Sequence, residues 1–263
     1  GLYPVAERLS RTQRESISAG GHRLRKLRSS LPRTCATPPP HPTSSPSRQP
    51  ANPASSTHGT ARTIDGLRRY TGWPIFVSLH QPESKPYLKD GAVEASLTNT
   101  KFPNPAHADF WRIHPDGFFY LLRGYQEDCL DTLSGAQCER KPGTGMDLTV
   151  PVWRVAEFLL RSTELARAMF EDGFEVLVRC EWTGLKGREL FLFNPRRVLF
   201  DGHRCEAIKV ITEEKFSQEM IENLLAEVVK KLTLPLYNHF DFFQPPNNFF
   251  EEEISILRTG KIT

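Results

Sequence analysis

The sequence lacks the short motifs that mark the common classes of enzyme and nucleotide-binding protein. It has no GxxxxGK[ST] phosphate loop, no GxSxG nucleophile elbow, no HExxH zinc motif and no kinase signature. The segment PGTGMD, residues 142–147, offers only a bare GxG, which is weak support for a phosphate site. The sequence therefore favours a non-catalytic protein, and no cofactor is evident from its motifs.

Cysteine is scarce, and long hydrophobic runs are missing. The five cysteines are an odd number without a CxxC pair, which argues against both a disulfide framework and a cysteine zinc site. No apolar segment is suited to a signal peptide or a membrane span. We therefore predict a cytoplasmic protein with reduced thiols, no metal site and no membrane partner.

Reactive side chains do not form a recognisable catalytic set. Acids cluster at Glu127-Asp128 with Asp131 and at residues 251–253, and the first cluster follows a predicted strand, where catalytic carboxylates can occur. Ordinary loop polarity is the favoured interpretation, because no histidine has a spacing that pairs it with a nucleophile or another ligand. A cluster of four aromatic side chains is interpreted as a core plug, with an exposed partner-binding patch as the alternative: Phe242, Phe243, Phe249 and Phe250.

Positive charge is concentrated before Ile64. Ten of the 34 Lys and Arg residues lie there, against only two of the 31 acids, Glu7 and Glu15, which gives this part a net charge of +8. The remainder has 24 bases against 29 acids, a net charge of −5. A mildly acidic domain is not typical of a surface that neutralises phosphates, although the whole chain carries +3.

The basic part is also poor in large apolar residues. Between Arg33 and Arg62 it is rich in Pro, Ser and Thr, so it can bury too little surface to offset its ordering entropy. We therefore predict that residues 1–63 are disordered. Three interpretations stay open. In the first, RLRKLRSS, residues 23–30, is an electrostatic arm for nucleic acid or an acidic membrane. In the second the segment is a flexible linker, and in the third it is GC-rich DNA translated in the wrong frame.

The segment ADFWRIHPDGFFYLLRGYQED, residues 108–128, predicts a β-hairpin. Pro115 presets φ in the turn, and Gly117 can adopt the left-handed conformation of a three-residue loop. This turn places His114 opposite Phe118 and fixes the register. The other predicted pairs are Trp111 with Leu121, Ile113 with Phe119, Asp109 with Arg123, Phe110 with Leu122 and Arg112 with Tyr120. Nearly every prominent side chain thus has a structural partner, which favours a hairpin over an active site.

The segment TVPVWRVAEFLLRSTELARAMFEDG, residues 149–173, predicts a helix. Thr149 is its expected cap, Pro151 lies in the first turn where a missing N–H costs little, and Gly173 ends it. Apolar side chains follow one face. The opposite face carries a stripe of charges with an i,i+4 pair in it: Arg154, Glu157, Arg161 and Glu164. This spacing predicts a solvated charged face.

The remaining segments predict an α+β fold. Strands are expected at WPIFVSLH, GAVEASLT, FEVLVRCEW, RELFLF and RCEAIKVIT, joined by Gly-containing turns as an antiparallel meander. A long helix is expected from Ser217 to Thr233, with Pro235 bending or ending it, and a last helix begins near Asn247 or Asn248. We predict one domain, residues 64–263, with an antiparallel sheet of about six to seven strands packed by two main helices.

Five segments occur in the same order in bacterial proteins with a Schlafen-type AlbA-2 domain: RYTGWPIF, ADFWRIHPDGFFYLLRGYQED, TVPVWRVAEFLL, NLLAEVVKKLTLPLYNHFDFF and EEEI. From about Arg69 to Leu257, the chain resembles the region C-terminal to that domain, while the AlbA-2 domain itself has no counterpart here. Such proteins are described as DNA-binding or ATP-binding, with a helix-turn-helix. The resemblance implies a bacterial transcriptional regulator, admits ATP only through the parent family, and assigns no catalytic or binding residue.

Two functional hypotheses follow. The first is a non-catalytic module that senses a ligand or binds a protein partner, attached to a nucleic-acid-binding domain; residues 64–263 would then fold alone without affinity for DNA. The second is a nucleic-acid-binding protein, in which the N-terminal arm supplies charge and four side chains of the sheet form a contact surface: Trp111, Arg112, Tyr120 and Tyr125. The first is favoured, because the domain is acidic and lacks catalytic motifs.

Overall fold

The computed structural model describes residues 63–64, 66–97, 109–128, 140–170, 173–193, 197, 199 and 202–260, and the course of the backbone at residues 34–37. The strands in these ranges are β1 (Thr34–Thr37), β2 (Tyr87–Lys89), β3 (Ala92–Ser96), β4 (Asp109–His114), β5 (Phe118–Arg123), β6 (Gly145–Asp147), β7 (Glu175–Thr183), β8 (Glu189–Phe191) and β9 (Lys209–Ser217). The α-helices are α1 (Val150–Met169), α2 (Gln218–Asn223), α3 (Leu225–Asn238) and α4 (Phe249–Thr259).

The main sheet has the strand order β2-β3-β4-β5-β1-β7-β9, and all neighbouring strands are antiparallel. The predicted α+β class is thereby confirmed. Strands β2 to β5 form one part of this sheet, and β7 with β9 forms the other. Among the described strands, only β1 joins the two parts, because it pairs with β5 on one side and β7 on the other.

Strand β1 lies within the segment that the sequence predicts to be disordered. For Thr34–Thr37 that prediction is wrong, since these residues pair inside the sheet. Pairing supplies partners for backbone groups, which composition does not reveal. A domain beginning at residue 64 therefore omits one strand of its sheet. Residues 1–33 and 38–62 lie outside the described residues.

The hairpin of β4 and β5 forms in the predicted register. His114 lies opposite Phe118, Asp109 lies opposite Arg123, and the pairs between them follow in order. Gly117 has φ = +85°, the left-handed conformation that the three-residue loop requires. Local turn chemistry therefore sets the register over the whole hairpin.

Helix α1 packs across the sheet, but its charged stripe is not solvated as predicted. Glu157 is 0 % exposed and Arg161 only 2 %. The stretch 63–77 covers this face: Thr71 donates a hydrogen bond to Glu157 at 2.9 Å, and the Arg161 guanidinium donates to the Ile64 carbonyl at 3.3 Å. Helical periodicity cannot show that a distant part of the chain covers the polar face.

The predicted long helix after β9 is two helices. Ser217 caps α2 by accepting a hydrogen bond from the Met220 N–H, as the expected start near Ser217 requires. The break falls at Leu224, whose backbone leaves the helical region at φ = −126° and ψ = 38°. Pro235 lies inside α3, so it does not end the helix. Helix α4 begins at Phe249, close to the predicted start.

Two other sequence predictions are corrected. Residues 73–80, expected as a strand, follow an irregular course, although Ile75 and Phe76 are fully buried. Strand β8 does not join the meander; it pairs in parallel with β6 in a separate two-stranded sheet. Hydrophobic patterning identifies buried segments but leaves their strand partners undetermined.

The core lies between the main sheet and the helices. Helices α1, α3 and α4 contact one another, and Phe76 packs against Trp111 and Phe158. The aromatic plug forms in part: Phe249 and Phe250 are buried, whereas Phe242 is 87 % exposed. Among the described residues, the helices are too short or too polar to cross a membrane.

Candidate functional site

The four residues predicted as a contact surface do not share one. Trp111 is 0 % exposed, and its indole N–H donates to the Val77 carbonyl at 2.9 Å. Strand alternation places Arg112 and Tyr120 on the opposite face of the sheet from Trp111. Tyr125 follows β5 and packs against the core. The predicted stacking surface is therefore wrong, because its largest aromatic ring is inside the protein.

Arg112 and Tyr120 have neighbours within the sheet. The Arg112 guanidinium donates to the Glu94 carboxylate at 2.7 Å across β3 and β4. The Tyr120 ring meets that of Phe110 edge-on, with centroids 5.9 Å apart. These contacts satisfy both side chains within the fold, so neither residue needs a ligand to explain it.

The acidic cluster after β5 has a structural role. Asp128 forms an ion pair with Arg188 at 2.5 Å, and Arg188 also donates to the carbonyls of Gly184 and Gly145. These bonds hold the end of β5 against the small β6–β8 sheet. The third acid of the predicted cluster, Asp131, lies outside the described residues. Asp128 is therefore a structural loop residue that anchors Arg188, in agreement with the favoured interpretation of this cluster as polar loop residues.

Glu127 and Asp147 form a buried carboxylate pair at the start of α1. Asp147 accepts hydrogen bonds from both the N–H and the hydroxyl of Thr149, from the Val150 N–H and from the Phe193 N–H. It therefore takes the capping role predicted for Thr149, whose side chain does not cap the helix. Glu127 accepts from the Asp147 N–H at 3.1 Å. Burial raises the pKa of Asp147.

Burial also raises the pKa of Glu127, to about 7, and the nearby carboxylates of Asp147 and Asp128 add to this shift. Hydrogen bonds from the backbone oppose it. The folded value lies above the unfolded value of 4.5, so between these pH values the folded state binds more protons. The free energy of unfolding must then decrease as the pH rises from 4.5 to 7.

We expect Glu127→Gln to remove this pH dependence. The amide still offers an oxygen to the Asp147 N–H but cannot ionise, so the variant should match the wild type near pH 4.5 and exceed its free energy of unfolding by about 1–3 kcal/mol at pH 8. Urea denaturation across this pH range measures the difference. Glu251→Gln, at an exposed position, is the control. A parallel pH profile for wild type and Glu127→Gln would contradict the assignment.

A cleft opens where β5 and β7 extend beyond β1. Its lining comes from the end of β5, the facing part of β7 and the first turns of α1: Leu121, Leu122, Arg123, Gly124, Tyr125, Arg154, Val155, Phe158, Cys180, Glu181 and Trp182. In the register, Thr34 of β1 lies between Leu121 and Cys180. The cleft therefore continues the space that β1 occupies in the sheet.

Polar contacts bound this cleft. At its far end the Trp182 indole N–H donates to the Tyr125 hydroxyl at 3.1 Å, which links the two sides. Arg123 is fixed beside it by the Asp109 carboxylate and by the Trp73 and Pro74 carbonyls. We call the β1 position together with this cleft the strand slot, bounded by β5, β7 and the Tyr125–Trp182 hydrogen bond.

The size of the cleft limits what it can hold. Its volume is about 100 Å³, the share of liquid volume of roughly three water molecules and well below the roughly 300–1,000 Å³ of sites for drug-sized ligands. Cys180 is a buried cysteine beside β1, and the described lining of the cleft includes no histidine to activate it. In the described ranges, no three His, Cys, Asp or Glu side chains are grouped as a metal site. The cleft is therefore too small for a drug-sized ligand.

Comparison with known proteins gives no match: neither a family model, nor a curated protein, nor a solved structure resembles the chain significantly. The geometry of the strand slot is therefore the basis for assigning a function. Sequence reasoning missed Arg154, which it assigned to a solvated stripe, and Asp147, whose position two residues before Thr149 is a detectable turn-and-cap signal.

Proposed function

We propose that this protein is a non-catalytic partner-binding module that accepts an extended peptide strand between β5 and β7. By the family resemblance, the module belongs to a bacterial regulator in which the partner is another protein or an attached nucleic-acid-binding domain. In the present chain, β1 fills the slot. The observation that carries the proposal is the position of β1, a sequence-distant strand that alone joins the two parts of the sheet.

The character of β1 supports an exchangeable strand. Strands are usually about five to six residues long and enriched in β-branched and aromatic residues, whereas β1 has only four residues, TCAT. Twenty-five residues separate Thr37 from Thr63, where the described chain resumes. The strand therefore has neither a short connection nor a long hydrophobic sequence to secure it.

The slot offers what recognition by strand addition needs. Strands β5 and β7 both present backbone N–H and C=O groups to β1, so an incoming strand can pair on two sides rather than one. Alternate side chains would then face the core or solvent, which supplies specificity. Nucleic-acid binding through the arm of residues 1–63 remains a separate prediction, supported only by the charge of that part.

The test is strand exchange in solution. Ala36→Pro should weaken β1 in the full chain by removing the N–H of its residue 36, and thereby open the slot. A fluorescent peptide with the sequence of residues 31–40, with Ser in place of Cys35, should bind this variant at least tenfold more tightly than the wild type. The wild type's own strand competes at a high effective concentration.

Fluorescence anisotropy measures both affinities, and a peptide of the same composition in scrambled order is the control. Binding of the ordered peptide alone, with the stated preference for Ala36→Pro, supports the proposed function. Equal affinity for both proteins, or equal binding of the scrambled peptide, would sink it, because the peptide would then not be using the slot.

A further inference from the structure

In the described part of the chain, Arg154 is the one charged side chain lining the strand slot that has no oppositely charged group in contact with it. It projects from the first turns of α1 into the cleft and is half-buried. Among the described residues, it makes no hydrogen bond or ion pair. Burial lowers its pKa to about 10, and the neighbouring Arg123 cation contributes to this shift. The carboxylates of Asp109 and Glu157 raise the pKa of Arg154 through space, without a hydrogen bond to it.

Three other buried or half-buried arginines each have a carboxylate partner. Arg123 binds Asp109, Arg188 binds Asp128, and Arg197 binds Glu253. A desolvated cation is costly unless a carboxylate and hydrogen bonds compensate it. An anionic group from outside the described residues would therefore bind favourably at Arg154.

The sheet register shows where such an anion would come from. Thr34 lies opposite Leu121 of β5 and, through its neighbours, opposite Cys180 of β7. The residue two positions before Thr34 in an added strand would lie opposite Arg123 of β5 and Trp182 of β7. Both residues line the cleft with Arg154. A side chain at that position of the strand would point toward the helix, because residues two apart share a face.

We propose that the strand slot recognises an extended segment with an acidic side chain two residues before the position of Thr34, and that its carboxylate pairs with Arg154. This inference rests on the proposed function, since it specifies the strand that the slot accepts. The volume of about 100 Å³ suits one carboxylate side chain. Glu181, also in the lining, lies on the other face of β7 and pairs with Arg179 and Lys209 at 3.8 and 3.7 Å.

The test uses full-length protein and two fluorescent peptides. Both carry the core Thr-Ser-Ala-Thr, preceded two residues earlier by Glu in one and by Gln in the other. All proteins in this test also carry Ala36→Pro, so that β1 does not compete for the slot. Without a further substitution, this protein should bind the Glu peptide at least tenfold more tightly than the Gln peptide. Arg154→Gln should reduce this ratio to near one, while Arg154→Lys, which keeps the charge, should retain part of it.

Arg167→Gln is the matched control, because Arg167 lies in the last turn of the same helix, outside the cleft lining, where it pairs with Glu222 at 2.8 Å, and its substitution should leave the ratio unchanged. The Glu-to-Gln ratio does not depend on how far a substitution destabilises the fold, since both peptides meet the same protein. Equal binding of the two peptides would overturn the acidic specificity and leave strand acceptance intact. Failure of both peptides to bind would overturn it together with strand exchange.

Discussion

Replacing Asp109 with alanine is expected to lower the free energy of unfolding by about 3–5 kcal/mol. Asp109 is fully buried and accepts hydrogen bonds from the Arg123 guanidinium and from the Trp73 indole N–H at 2.9 Å. Without the carboxylate, the Arg123 cation would stay in the interior without a counter-charge. Breaking a buried pair by removing one partner costs more than the pair contributes, because the desolvated charge that remains is uncompensated.

Urea denaturation at constant pH measures this loss, and Asp116→Ala provides the control. Asp116 also lies in the hairpin, but its side chain is 86 % exposed and lies 3.2 Å from Nδ1 of His114. Its removal should change the free energy of unfolding by less than about 1 kcal/mol. A similar decrease in the free energy of unfolding for both variants would show that the Asp109–Arg123 ion pair is not desolvated.

The second large effect is expected for Ala36→Pro, which should lower the free energy of unfolding by up to about 3 kcal/mol, because the carbonyl that accepted from the lost N–H stays buried without a partner. Ala36 lies opposite Phe119 on one side and Val178 on the other, in the middle of the sheet. Proline removes one ladder hydrogen bond there and is excluded from central strands for that reason. A proline in a segment that did not pair would have no such cost.

Ala36→Ser is the companion variant, because serine keeps the backbone N–H. Thermal and urea unfolding of both variants should separate the loss of pairing from a change of side chain. If the proline variant is as stable as the serine variant, β1 contributes nothing to the sheet in solution. The strand slot would then be unoccupied by this part of the chain.

Local chemistry made the hairpin predictable. Pro115 and Gly117 fix the turn, the turn fixes the register, and the register brings Asp109 to Arg123. None of these steps requires knowledge of the rest of the chain. The start of α2 at Ser217 was predictable in the same way, because a cap acts within one turn of its helix.

Contacts between distant parts of the chain were not predictable. The charged face of α1 suggested solvent, but the stretch 63–77 covers Glu157 and Arg161. Likewise, the composition around Thr34–Thr37 predicted disorder, because it cannot show that β5 and β7 leave space for a strand. Both errors have the same cause: periodicity and composition describe one segment, while burial depends on which other segment lies against it.

The candidate site depends on such non-local contacts. Arg154 and Trp182 are 28 positions apart and meet only because α1 packs beneath β5 and β7. Sequence reasoning chose Trp111 and Arg112 instead, because aromatic and cationic side chains side by side suggest a binding surface. Strand alternation sends these neighbours to opposite faces, and one of them into the core.

The most direct measurement is a disulfide trap for β1. Cys35 lies opposite Arg179 in the antiparallel pair, at a Cα separation of roughly 4.5–5.5 Å that a disulfide can span. Mild oxidation of Arg179→Cys should therefore join residues 35 and 179, as identified by peptide mapping. Glu213→Cys is the control, since residue 213 pairs with Arg179 from β9, one strand further from Cys35 and beyond reach. A 35–179 disulfide without a 35–213 disulfide is the predicted result; equal yields, or none at 179, would contradict the strand slot.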